Sequence, residues 1–245
     1  MKPDKLLQLI EQRHSSRGPF DDAQIDTDAL HRILEAATWA PTAHNMQNFE
    51  IVVVHDPALL AKLSELSAPT SPVFVAENYK QLSFSEDELK AKKTGLLATQ
   101  FPPAWMTPEA QAGHLDQPAS PLGDQVRRGP VLLVITYDPS RRAPASENDF
   151  LGAISLGCMI ENMWLMATAL GIDFHIISSL ANEPIVDGVK QILGIPKELA
   201  VALSIRLGHA ADEHQGLRVR RELADFVSLD TYGVHPPECN HPSGC

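Results

Sequence analysis

Apolar residues recur along this chain in two rhythms. In the first, Leu30, Ile33, Leu34 and Ala37 follow the i, i+3, i+4, i+7 spacing of one helix face, which predicts a helix from about Thr27 to Trp39. Ala40-Pro41 ends it, because a residue before proline is pushed out of the α region. An earlier amphipathic helix starts after Asp4 as N-cap and runs to about Gln12, with Leu6, Leu7, Leu9 and Ile10 as its apolar side. In the second rhythm, short apolar runs lie between breakers: Phe49 to His55, Val131 to Tyr137, Phe174 to Ser178 and Ala200 to Leu207. Runs such as VLLVI and AVALSI lack polar alternation, so they read as strands covered on both faces, a sheet between helix layers. A short helix follows Asp56-Pro57, and another spans Pro184 to Leu193 with Gly194 as its stop.

Three stretches break these rhythms. Phe150 to Ile172 is long enough to cross a bilayer, but Glu161 and Asn162 sit at its middle and no basic residues flank it. It reads as a helix buried on nearly all sides, by its own core or by a partner chain. Residues 68 to about 128 form a proline-punctuated insertion with scattered aromatics and one predicted helix, about Glu86 to Leu97. An insertion of that length is a lid, one wall of a pocket, or a surface elaboration. The segment after Gly208, residues 209–245, is polar and rich in arginine. With no internal repeat and no linker, residues 1–245 read as a single domain.

Charge narrows the choice of partner. The formal net charge is -11, which argues against nucleic acid and against anionic membrane surfaces. A small anionic ligand then needs a local cluster of basic residues. Cys158, Cys239 and Cys245 cannot all pair, and the N-terminus has no apolar signal core, so the expectation is a reducing, cytoplasmic setting.

Three clusters carry candidate chemistry. Arg13, His14, Ser15, Ser16 and Arg17 make a dense set of donors at a helix end, able to hold a phosphate through charge-assisted hydrogen bonds. Taken alone, such a cluster also reads as a solvated loop. Pro41, Thr42, Ala43 and Asn45 precede the first strand, where amide and hydroxyl groups can read the heteroatoms of a flat ring; alone they read as an ordinary turn. Arg218, Arg220 and Arg221 follow the last core strand, and the alternation of 218 and 220 puts both on one side of an extended segment. No GxGxxG, GxxxxGK[ST], HExxH or GxSxG motif occurs. His235, Cys239, His241 and Cys245 are zinc-type donors at a spacing that fits no metal site, so no metal is expected.

In order, these segments resemble the FMN-dependent nitroreductase family. RHSSRGPFD is similar to that family's flavin-phosphate loop, and APTAHNMQNFEIVVV to its segment leading into the first strand. GCMIENMWLMATALGI resembles its central helix, GIPKELAVALSIRLGHA its last core strand, and RVRRELADFVSLDTYG its closing stretch. The chain departs from the pattern at Asn48-Phe49, where Pro-Trp is usual, and at Ser178-Ser179, where Gly-Gly or Glu-Gly is frequent. Glu222 replaces a proline, and the end of the last strand reads Gly208-His209-Ala210.

The resemblance implies an α+β fold, a three-layer α/β/α sandwich around a mostly antiparallel sheet. It also implies an intertwined homodimer whose C-terminal arm, 209–245, crosses to the partner, with FMN at the interface. The implied activity passes hydride from NAD(P)H through the flavin to a small electron acceptor such as a nitroaromatic or quinone. Reductive dehalogenation, flavin fragmentation or non-catalytic flavin or metal binding are the alternatives. By resemblance, Arg13, Ser15 and Arg220 hold the phosphate, with His14, Ser16 and Arg218 beside it. Arg17 lies near flavin N1 and O2, Asn78 near the pyrimidine edge, and Ser178 and Ser179 near N5 or O4. Pro41, Thr42, Ala43 and Asn45 contact the ring from the other subunit. No protein side chain is expected to act as nucleophile.

Overall fold

A computed structural model describes residues 2–68, 86–91, 120–127, 129–146, 148, 150–211 and 219–235. The chain divides into two compact units: Met1–Pro69 with Ala119–His214, and Thr70–Pro118 with Gln215–Cys245. The first contains α1 (Pro3–Gln12), α2 (Thr27–Thr38), β1 (Glu50–Val54), α3 (Pro57–Ser64) and β2 (Ser67–Ala68). It continues with β3 (Ser120–Pro121), α5 (Asp124–Arg127), β4 (Val131–Tyr137), α6 (Phe150–Ala169), β5 (Asp173–Ile177), α7 (Ile185–Leu193) and β6 (Ala200–Gly208). The helix α4 (Glu86–Ala91) belongs to the second unit. It begins where the sequence predicts; residues 92–97 of that predicted helix lie outside the described residues.

The main sheet has the order β1-β4-β6-β5, and every pairing is antiparallel. Both faces are covered, as the unalternated apolar runs require. Leu133, Ile135, Phe174, Ile205 and Leu207 pack with Ile33, Ala37, Met159 and Met163 of α2 and α6. Leu132, Val134, Ile177 and Val201 pack with Leu60, Leu63, Val186 and Val189 of α3 and α7. The result is a three-layer α/β/α arrangement. Successive strand residues face opposite layers, so a one-residue slip of β4 would exchange its two cores.

Helix ends follow their caps. The Asp26 carboxylate accepts from Asp28 N and Ala29 N, each at 3.1 Å, and starts α2. Asp56 caps α3, whose first residue is Pro57. α7 stops at Gly194, in the left-handed region at φ 66°. The predicted start of α1 needs correction: Pro3 takes the first helical position and Asp4 falls within the first turn. Its carboxylate favours the positive helix end there rather than acting as N-cap.

The long helix α6 is covered by its own chain on one face only. Met159, Ile160, Met163 and Ala167 are buried, but Phe150, Leu151 and Ile154 are exposed, and Trp39 at the end of α2 is 80% exposed. The chain's own core therefore covers one face of the helix rather than nearly all of it. Among the described residues α6 is the one helix long and apolar enough to cross a membrane. At its middle Asn162 Nδ2 donates to Ala36 O at 3.2 Å, tying it to α2.

The described part of the tail, 219–235, holds a single 3-10 turn at Leu223–Asp225. It is closed reciprocally by Glu222 and Asp225. Leu223, Phe226, Leu229, Tyr232 and Val234 are exposed on it.

Candidate functional site

The turn from Arg13 to Asp21 leaves α1 and lies across the ends of β5 and β6. Ser16 N donates to Phe174 O at 3.1 Å, Asp21 N to His209 O at 2.8 Å, and Ala211 N to Pro19 O at 3.0 Å. Phe20 forms an isolated antiparallel bridge with Ala210. Asp173, the first residue of β5, ties the turn from the side. One of its carboxylate oxygens accepts from the Ser16 hydroxyl, and the other accepts from Ala210 N at 2.8 Å. His14 Nε2 stands 3.5 Å from Asp173.

This anchoring sorts the five polar side chains. Arg13 is turned onto α6: its Nε lies 3.4 Å from Glu161, and its guanidinium stacks 4.4 Å from the centroid of Trp164. The Trp164 indole donates to His14 O at 3.0 Å and stacks on Phe174. Ser16 is buried and spent on Asp173. The Ser15 hydroxyl and Arg17 make no hydrogen bond or ion pair among the described residues. Arg17 is exposed, and the protein beside it desolvates it enough to pull its pKa below the ordinary arginine value. A cation partly stripped of water is the natural receptor for an anion.

Beneath the turn lies a pair that motif reading missed. Arg206 is 3% exposed near the C-terminal end of β6, and His175 faces it from β5. Arg206 Nη2 donates to Gly18 O at 2.8 Å and lies 3.2 Å from His175 Nδ1. Its guanidinium stacks 4.2 Å from the centroid of Phe20. Burial, then the charges of Arg206 and Arg17, push the His175 pKa down to about 4. The imidazole is thus neutral at pH 7 and accepts from Arg206. The sequence signal was a charge inside an otherwise apolar strand, SIRLG, and likewise Asp173 in GIDFH.

The second cluster has a different character. His44, Asn45 and Gln47 all adopt positive φ, at 51°, 52° and 46°. Three non-glycine residues in that region within four positions store strain, which concentrates at functional sites. Two hydroxyls hold the turn: Ala43 N donates to Ser155 Oγ at 3.0 Å, and Gln47 N to Thr42 Oγ1 at 3.1 Å. Asn48, standing where proline is usual, staples the turn after β4. Its Nδ2 donates to Asp138 O at 2.8 Å and Arg141 O at 2.9 Å, and its Oδ1 accepts from Asp138 N at 3.1 Å.

The two turns lie at opposite ends of α6. Ser155 holds one and Trp164 touches the other, nine residues and about 13 Å apart along the axis. Each turn has its own depression. A cavity of about 210 Å³ is lined by His14, Trp164, Thr168, Ile172, Asp173 and Phe174. With a carboxylate and two aromatic rings in its wall, it is a poor phosphate receptor, so the anion-seeking side of the turn is that of Arg17. The smaller depression at the other turn is lined by Thr42, Ala43, Met46, Asn48, Arg141 and Ser155.

Ser178 and Ser179 stand at the C-terminal end of β5. Ser178 is exposed, and the Ser179 hydroxyl is buried without a hydrogen-bond partner among the described residues. Arg220 is exposed in the second unit and donates to Val219 O at 2.7 Å. Asn78 and Arg218 lie outside the described residues, as do Cys239, His241 and Cys245 of the tail. Among the described residues no group of three or more His, Cys, Asp or Glu side chains could hold a metal.

Comparison with known proteins matches this architecture. An NADPH-dependent oxidoreductase of Staphylococcus haemolyticus is 22% identical over 213 residues, covering 87% of this chain and 68% of the relative. A crystal structure of a nitroreductase with bound FMN from Bacteroides fragilis superposes with a TM-score of 0.57 at 21% identity, covering 92% and 98% of the two chains. An FMN-dependent nitroreductase from Clostridium difficile gives a TM-score of 0.58 at 17% identity, covering 92% and 99%. At these identities the structural likeness establishes the fold. The family model of the nitroreductase family matches residues 10–209. The chain belongs to the nitroreductase family.

Proposed function

We propose that this chain is an NAD(P)H-dependent FMN oxidoreductase, working as a homodimer on a small electron acceptor such as a nitroaromatic or a quinone. The observation that carries the reading is Arg17: a partly desolvated cation, without hydrogen bond or ion pair among the described residues, on a turn otherwise pinned at both ends. The polar groups present fit FMN. Ser15 and Arg17 offer a hydroxyl and a charge at the N-terminal end of β5. Ser178 and Ser179 offer an exposed hydroxyl and a buried, unsatisfied one at the other end, about 13 Å along the strand. A flavin with its phosphate at Ser15, one ring edge at Arg17 and the far part of its ring at Ser178 and Ser179 would use both.

FMN, when bound, supplies the hydride-accepting and hydride-donating chemistry. The chain supplies position and charge. Ser15, and Arg13 once drawn from Glu161, hold the phosphate, with Arg218 and Arg220 of the arm as further cations. Arg17 offers fixed positive charge to the ring's N1–O2 edge, where negative charge develops on reduction, and so favours the reduced state. Ser178 and Ser179 donate toward N5 and O4. Pro41, Thr42, Ala43 and Asn45 form a shaped wall for the partner's ring; their separation from the Arg17 turn along α6 supports contribution across an interface.

Two surfaces support the dimer. Phe150, Leu151, Ile154 and Trp39 leave exposed apolar side chains on α6 and at the end of α2, of the kind that marks association sites. In the described sheet β5 pairs only with β6, leaving an edge open to the partner's C-terminal arm. The test is an anaerobic half-reaction: NADPH or NADH added to the FMN-loaded protein bleaches the flavin absorbance, and a quinone or nitroaromatic restores it. A flavin that stays oxidised under excess of both nucleotides would show a binding protein without turnover.

A further inference from the structure

The buried guanidinium of β6 has a place in this site that no motif assigns. Burying arginine between helix layers costs several kcal/mol unless its fork is well used. Here one arm of the fork donates to Gly18 O at 2.8 Å, directly after Arg17, and lies 3.2 Å from His175 Nδ1. The Phe20 ring covers its face at 4.2 Å. The fold also reserves the channel through which this side chain runs. Gly129 stands at φ +146°, and a Cβ there would lie 2.9 Å from Arg206 Cγ and 3.1 Å from Cδ. The same Cβ would meet Phe20 at 3.3 Å. The turn that carries the exposed Arg17 is thus bolted to the sheet from below by a second, buried charge.

We propose that Arg206 is a positioning residue of the flavin site: it seats the Gly18 carbonyl, fixes the direction in which Arg17 presents its charge, and adds a positive field that solvent does not screen. The inference rests on the FMN reading above and names a residue through which that site is set. His175 completes the seat as a neutral acceptor. A protonated imidazole in the same place would repel both guanidinium groups.

Three proteins decide it: the parent, Arg206→Lys, which keeps charge but loses the fork, and Arg206→Met, which loses both. Each is compared by thermal unfolding, by the rate of tryptic cleavage after Arg17, by FMN affinity and by flavin midpoint potential. The expected result is faster cleavage after Arg17 in both variants and an FMN dissociation constant raised about tenfold or more in Arg206→Met. The midpoint potential should fall in Arg206→Met and return toward the parent's in Arg206→Lys, which a purely structural role would not produce. A folded variant with parental cleavage rate and parental FMN affinity overturns the proposal. Should Arg206→Met not fold, Arg206→Lys alone is read, and parental affinity and cleavage in it count against the proposal. Should the parent take up no FMN, the flavin reading fails, while the cleavage rate still decides whether Arg206 seats the turn.

Discussion

The Arg13–Asp21 turn and the Thr42–Asn48 turn are built on opposite plans. The first has no residue at positive φ and is held by long-range contacts: strand-end backbone bonds, the Asp173 carboxylate and the buried Arg206. The second is held by side chains on main-chain groups, the Ser155 and Thr42 hydroxyls and the Asn48 amide, and keeps three non-glycine residues in the left-handed region. The difference teaches what each end of a ligand needs. An anionic end is served by charges whose direction cannot drift, so the chain invests buried polar contacts there. A flat ring is served by a backbone of particular shape, and strain is how such a shape is kept.

If this contrast is right, the first turn should respond most to loss of its remote anchors. Asp173→Ala strands the Ser16 hydroxyl and Ala210 N, each costing about 1–3 kcal/mol, so unfolding in urea should show a loss of about 2–6 kcal/mol. A loss below about 0.5 kcal/mol would mean the turn is held by its backbone bonds alone.

A smaller effect follows from His175, whose pKa is about 4 when folded and near 6.5 when unfolded. Below the unfolded value the unfolded chain binds the extra proton, so stability is full above about pH 6.5 and falls as pH drops toward 4. Between pH 7 and pH 4.5 the loss should be about 2 kcal/mol, and His175→Gln should flatten that part of the profile. An unchanged profile in the variant would remove His175 from the seat.

In the second turn the effects should be smaller. Ser155→Ala deprives Ala43 N of its acceptor and should cost about 1 kcal/mol, read as a shift in the urea midpoint. His44→Gly should be neutral or stabilising by about 0.5 kcal/mol, because relief of the left-handed cost slightly exceeds the entropy glycine adds to the unfolded chain. Destabilisation above about 1 kcal/mol would show that the His44 side chain, not the strained backbone, holds that turn.

Much of the fold was legible. The run Val131 to Tyr137 and the cap at Asp26 were readable because apolar runs and capping carboxylates act locally. The start of α1 was misjudged because Pro3 and Asp4 both favour a helix start and the proline takes the earlier position. The Arg13–Arg17 cluster stood out by composition. Its anchors Asp173 and Arg206 did not, because their roles depend on the turn residues Ser16 and Gly18, 157 and 188 positions away along the chain. Positive φ at His44 and Gln47 leaves no mark on residue type. That α6 needed covering could be read from its composition. That its own chain covers only one face could not, because coverage is a property of packing.

The central claim is that this turn and the far end of β5 receive FMN. The direct measurement is titration of FMN into the purified protein, followed by flavin fluorescence and the visible spectrum. The account predicts saturable quenching that levels off near equimolar FMN and a yellow protein after removal of free flavin. A protein that stays colourless and leaves the fluorescence of added FMN unchanged would contradict it.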